Sequence, residues 1–188
     1  MLSTKKIITS LAAISALFAG HAAFAQTNSN GLVNAYSLEA GGGEHVQVLR
    51  LSGQKDWNKN WFATRGYHLG GYWDGNIAYW RANRWLDQPD HRRDLAVVGI
   101  TPVFRWEADD KLGWYADAGI GLSLFSNVYR NTHRQLSTAF EFADHVGVGY
   151  VFANKWELGL RAQHYSNGGI KHPNGGVNLL MLKASYHY

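Results

Sequence analysis

The chain has 188 residues, 46% of them hydrophobic and 17% charged, with no cysteine and a formal charge of +4 at pH 7. Without cysteine there are neither disulfides nor thiolate metal sites, and so small a positive surplus gives no footprint for nucleic acid. After residue 25 no apolar run approaches the roughly 20 residues that a membrane helix needs, so a membrane-spanning reading requires a barrel.

At the N-terminus, Lys5 and Lys6 precede an apolar run from Ile7 to Ala19, and Ala23-Phe24-Ala25 supplies the small-x-small pattern cut by signal peptidase. The sequence therefore predicts export, with residues 1–25 as a signal peptide and 26–188 as one domain. Loss of the leader takes away two lysines and no acid, which lowers the formal charge from +4 to +2.

Segments near 32–42 and 44–52 alternate weakly. From Tyr67 to Tyr79 the pattern is strong: Tyr67, Leu69, Trp73, Ile77 and Tyr79 oppose His68, Tyr72, Asp74 and Asn76. Arg81 to Arg93, with Asn83, Pro89 and His91, reads as an exposed loop. From Ala96 to Glu107, Val98, Ile100, Phe104 and Trp106 oppose Thr101, Arg105 and Glu107. Leu112 to Phe125 places Trp114, Ala116, Ala118, Ile120, Leu122 and Leu124 against Tyr115, Asp117, Ser123 and several glycines. Asn127 to Gln135 reads as a second exposed loop. Phe140 to Phe152, 155–166 and 177–188 alternate likewise, and the last ends on aromatic Tyr188.

These segments predict an all-β fold, an eight-stranded antiparallel transmembrane barrel of outer-membrane type. A soluble barrel could also alternate, but its apolar face would be inside; here the polar face holds acids, bases and glycines, which fit a narrow interior. With eight strands that interior is filled by side chains and leaves no pore. Trp57, Trp61, Trp80, Trp85, Trp106, Trp114 and Trp156 fall near strand ends, as interfacial girdles require. By parity His68, Asp74, Arg105, Glu107, Asp117, Glu141, His145, Glu157, Arg161 and Lys183 point inward, as a network of compensating charges. No ligand spacing among His68, Asp74 and His145 supports a metal, and no cofactor is implied.

The chemistry sits on the strand before the last loop. Trp156, Leu158, Leu160 and Ala162 form its apolar face, and His164 and Ser166 continue that face toward lipid. A histidine base and a serine nucleophile two residues apart on one face have Cβ atoms roughly 6–7 Å apart, within reach of a hydrogen bond. A polar pair facing lipid is costly unless it has a purpose. The bland alternative places both at headgroup level, where wet side chains cost little.

His164-Tyr165-Ser166-Asn167-Gly168-Gly169-Ile170-Lys171-His172-Pro173-Asn174 resembles the signature of the PagL family, the outer-membrane lipid A 3-O-deacylases. The resemblance extends to Gly71-Tyr72-Trp73-Asp74, Pro102-Val103-Phe104, Ala118-Gly119-Ile120-Gly121 and Phe142-Ala143-Asp144. It implies a bacterial outer-membrane barrel whose active site lies on the outer wall, with lipid A or lipopolysaccharide as substrate. By that resemblance His164 is the base and Ser166 the nucleophile, while the oxyanion donors fall at the Asn174 side chain and a backbone N–H near Gly169, with Asn167 in support. The family's glutamate fourteen residues after the histidine is here Asn178, whose amide oxygen can orient an imidazole but cannot balance its positive charge. A hairpin through 153–155 places Asp144 opposite His164, so Asp144 is an alternative acid. Arg81, Arg84, Arg92, Arg93, Arg130 and Arg134 lie in loops and could meet glycolipid phosphates. The competing functional class is a non-catalytic small barrel, structural or adhesive. The sequence leaves a homodimer open.

Overall fold

A segment with one apolar and one polar face satisfies its backbone only by pairing with neighbours of the same kind, and closing the sheet removes every edge. The computed structural model describes residues 31–188, so the predicted signal peptide lies outside the described residues. The strands are β1 (Ala35–Gly43), β2 (Val46–Asp56), β3 (Trp61–Thr64), β4 (Tyr67–Ala82), β5 (Arg93–Ala108), β6 (Gly113–Phe125), β7 (Arg130–Asn131), β8 (Arg134–Gln135), β9 (Phe140–Val151), β10 (Trp156–Ser166) and β11 (Val177–His187). Eight of them, β1, β2, β4, β5, β6, β9, β10 and β11, pair antiparallel in a ring that closes where β1 meets β11 and β2 meets β4. β3 continues the β2 edge of β4 after a break, and β7 and β8 form a small hairpin.

The sequence placed the staves correctly but drew β4 and β5 short: β4 runs on to Ala82 and β5 begins at Arg93, within the segment read as a loop. At the turn end 109–112 and 152–155 are tight turns and 57–66 carries β3, whereas the short turn 44–45 and the longer segments 83–92, 126–139 and 167–176 connect the strands at the loop end.

The outer wall is apolar, with Leu49, Ile77, Val98, Leu122, Val148, Leu160, Leu180 and Leu182 exposed. The interior divides by depth. Toward the turn end it is charged: Arg50 binds Glu39 and reaches Asp74 at 2.5 Å, and Arg105 holds Asp117 at 2.8 Å and Glu157 at 3.0 Å. Glu157 also takes Lys183 at 2.7 Å, His187 at 2.7 Å and the Tyr115 hydroxyl at 2.6 Å. All ten residues assigned inward by parity are buried.

Toward the loop end the interior is aromatic. Trp80 is fully buried, and its ring meets Phe125, Tyr129 and Tyr165 edge-on at 5.0, 5.6 and 5.0 Å. Trp80 and Trp85 are therefore plug residues, which corrects the girdle assignment: Trp80 shares the inward parity of Ala78 and Ala82, and Trp85 packs on Tyr129. Trp61, Trp106 and Trp114 are exposed as expected, and Trp57 packs edge-on against Phe104 at 5.1 Å. The segment 127–135 is likewise not simply an exposed loop. Tyr129, Asn131 and Thr132 are buried because the β7–β8 hairpin folds into the barrel mouth, where Asn131 donates to the His45 carbonyl at 2.8 Å.

Candidate active site

Strand β10 ends at Ser166, at the rim of the barrel on the loop side. The period of two puts His164 and Ser166 on the outer wall, both half-buried, while Tyr165 between them points inward against Trp80 and Phe125. The same plug that fills the mouth thus fixes the backbone that carries the pair.

Register sets the neighbours. β10 pairs with β11 so that His164 faces Asn178, and with β9 so that His164 faces Asp144. His164 Nδ1 lies 2.6 Å from Asn178 Oδ1. An amide oxygen only accepts, so this contact makes Nδ1 the protonated nitrogen and leaves Nε2 with a lone pair, the form a general base requires. Asp144 stands on the opposite flank, as the hairpin geometry predicted, with Oδ1 buried and without a hydrogen-bond partner among the described residues. Its backbone carbonyl accepts from Gln163 Nε2 at 2.9 Å.

Ser166 is paired with Phe142, and the chain then turns through Gly168 and Gly169, both at positive φ. A Cβ on Gly168 would sit 3.1 Å from the Phe142 ring, so only glycine follows this path without pressing on it. The Gly168 N–H points at Ser166 Oγ at 3.4 Å, while the Gly169 N–H donates to Asn167 Oδ1 at 2.9 Å. Asn174 Oδ1 accepts the Asn167 N–H at 3.1 Å, which leaves Asn174 Nδ2 as the free end of that amide. Asn167 is fully buried and organises the loop from within.

One residue of this site escaped sequence reasoning. Gly176 has φ +62, and a Cβ there would lie 2.7 Å from His164 Cε1. The imidazole is seated against bare backbone. The Gly175-Gly176 doublet before the last strand was the available signal, although it also suits an ordinary turn.

A groove of about 760 Å³ runs along the outer wall beside His164, lined by Phe104, Ala118, Ile120, Asp144, Val146 and Ala162. The small Ala118 and Ala162 flank Val146 on neighbouring strands and lower the wall between larger side chains. Among the described residues no group of three His, Asp or Glu gathers with metal-binding geometry. Of the arginines the sequence reading placed in loops, Arg81 lies on β4 and pairs with Asp94 at 3.0 Å, and Arg134 lies on β8 and pairs with Glu44 at 3.1 Å.

The family model for Lipid A 3-O-deacylase (PagL) matches residues 47–187. The Lipid A deacylase PagL of Pseudomonas aeruginosa is 34% identical over 179 residues, covering 95% of this chain and 96% of the relative. The protein of the same name from Bordetella bronchiseptica is 29% identical over 159 residues, 81% of this chain and 82% of its own. The crystal structure of the outer membrane enzyme PagL superposes with a TM-score of 0.70 at 30% identity, over 82% of this chain and 99% of that one. With the family model, the relatives and the barrel agreeing, the chain belongs to the PagL family of lipid A 3-O-deacylases.

Proposed function

We propose that this protein hydrolyses the 3-position acyl ester of lipid A in the bacterial outer membrane, with Ser166 as nucleophile and His164 as general base. The observation that carries the reading is the 2.6 Å contact from Asn178 Oδ1 to His164 Nδ1, on the same lipid-facing wall as Ser166. A substrate anchored in the membrane reaches such a site laterally, and the groove beside His164 suits an acyl chain of that substrate.

In this mechanism His164 Nε2 takes the Ser166 proton as Oγ attacks the ester carbonyl. The carbonyl oxygen becomes an oxyanion, met by Asn174 Nδ2 and a glycine N–H of the 168–169 turn. Collapse expels the 3-hydroxyl of the sugar, which receives the proton from the imidazolium, and leaves an acyl-serine. Water activated by Nε2 then releases the 3-hydroxy fatty acid and restores Ser166. Asn178 orients the ring throughout, whereas Asp144 faces His164 across the β9–β10 pair.

The test is the mass of lipid A from cells producing the protein. Loss of one 3-hydroxyacyl chain with the wild type, and an intact lipid with Ser166→Ala or His164→Ala, is the expected result. Lipid A of unchanged mass with the wild type would instead favour a barrel that kept the scaffold without the chemistry, for which the neutral Asn178 is the supporting observation.

A further inference from the structure

Between Ser166 and β11 the chain crosses ten residues with no strand pairing, and three glycines of this stretch, Gly168, Gly169 and Gly176, have positive φ. Holding such a segment in one shape costs backbone entropy at every residue. Its internal bonds converge on Asn167, whose Oδ1 accepts the Gly169 N–H and whose own N–H fixes Asn174 Oδ1. Part of what holds Asn167 comes from elsewhere in the chain.

Ser137 lies 30 residues upstream, in the connection between β8 and β9. Its Oγ donates to the Lys171 carbonyl at 2.7 Å and accepts Asn167 Nδ2 at 3.1 Å, while Nδ2 gives its second hydrogen to the same carbonyl at 2.8 Å. The hydroxyl, the carboxamide and the carbonyl form a closed ring that spans two loops. A second clasp lies beside it: the Gly175 N–H donates to the Gln135 carbonyl at 2.9 Å, and Arg134 Nη1 donates to the Gly175 carbonyl at 3.1 Å. The segment supplying these groups is itself anchored, since Leu136 and Tyr129 are buried in the barrel mouth.

Resting on the esterase reading above, we infer that Ser137 is a positioning residue for the oxyanion side of the site, acting through Asn167. Its hydroxyl fixes which way the Asn167 carboxamide faces; the Oδ1 of that carboxamide holds the Gly169 peptide, and the backbone N–H of the residue so anchored holds the Asn174 amide. Ser137 touches neither Ser166 nor His164, so it governs transition-state geometry while leaving the nucleophile and base in place.

The experiment measures kcat and KM for release of 3-hydroxy fatty acid from purified lipid A by the full-length protein refolded in detergent. Ser137→Ala should lower kcat about 10–100-fold, the loss typical of a displaced catalytic group. KM and the heat-modifiable migration of the barrel should stay as in the wild type. Ser137→Thr, which keeps the hydroxyl, should restore kcat, and Ser137→Ala combined with Asn167→Ala should cost no more than Asn167→Ala alone, because one chain of bonds is cut at either point. Wild-type kcat in Ser137→Ala, a loss expressed in KM, an unfolded Ser137→Ala barrel, failure of threonine to rescue or additive losses would each overturn the role. An inactive wild type overturns the esterase reading together with this one, whereas an active wild type beside a fully active Ser137→Ala overturns this one only.

Discussion

At the residue scale the proposed mechanism turns on how a neutral amide, Asn178, serves as the partner of His164. On that proposal Asn178 orients the ring through its 2.6 Å contact and adds no charge, while Asp144 faces His164 across the strand pair without a bond of its own to Nδ1. Asn178→Ala should therefore lower the rate of fatty acid release roughly 10²-fold or more, as expected when a general base loses its tautomer. Asn178→Glu should keep or raise the rate, since it adds charge to the same hydrogen bond. Asp144→Asn should be milder than Asn178→Ala; a larger loss in Asp144→Asn, measured on the same lipid A, would assign the orienting role to the aspartate. Gly176→Ala belongs beside these: its methyl would press on His164 Cε1 from 2.7 Å in a backbone region disfavoured for L side chains, so activity should fall while the barrel still forms.

At the scale of elements, β10 serves two faces at once. Its outward face carries His164 and Ser166, and its inward Tyr165 is wedged edge-on against Trp80 at 5.0 Å and Phe125 at 5.7 Å. Trp80 stands on β4, far from His164 and Ser166 in sequence, yet it packs the back of the strand that carries them. Trp80→Ala should cost about 3–5 kcal/mol of stability, the usual penalty for emptying so large a buried site. It should also lower kcat, because Tyr165 loses its support. Urea unfolding of the refolded barrel measures the first effect and single-turnover kinetics the second; an unchanged midpoint would show that the aromatic plug does not bear on stability.

At the scale of the whole molecule, the barrel is charged inside at the turn end and aromatic inside at the loop end, and the site sits on the outside of the aromatic half. Glu157 is the hub of the charged half, bonded to Arg105, Lys183, His187 and Tyr115. Removing one partner of a buried ionic network strands the others, so Glu157→Ala should destabilise by about 3–5 kcal/mol. Arg161, which approaches Glu39 only at 3.4 Å, should matter less. Deacylation per folded molecule should be nearly wild-type in both variants. Unfolding curves that coincide with the wild type for Glu157→Ala would contradict the network's role.

The sequence by itself determined the barrel, because a period of two written over eight segments leaves each strand only one way to face lipid. For the same reason it determined that His164 and Ser166 point outward and that Glu157 and Arg161 point inward. Hairpin register likewise placed Asp144 opposite His164, since a short turn leaves little freedom in pairing. Tertiary structure alone decided the rest. Periodicity says nothing about where a loop folds back, so the burial of Tyr129, the plug role of Trp80 and Trp85, and the Ser137–Asn167 ring were not legible. Nor was the choice between Asn178 and Asp144: both face the imidazole across a strand pair, and only side-chain packing determines that Nδ1 meets the amide oxygen.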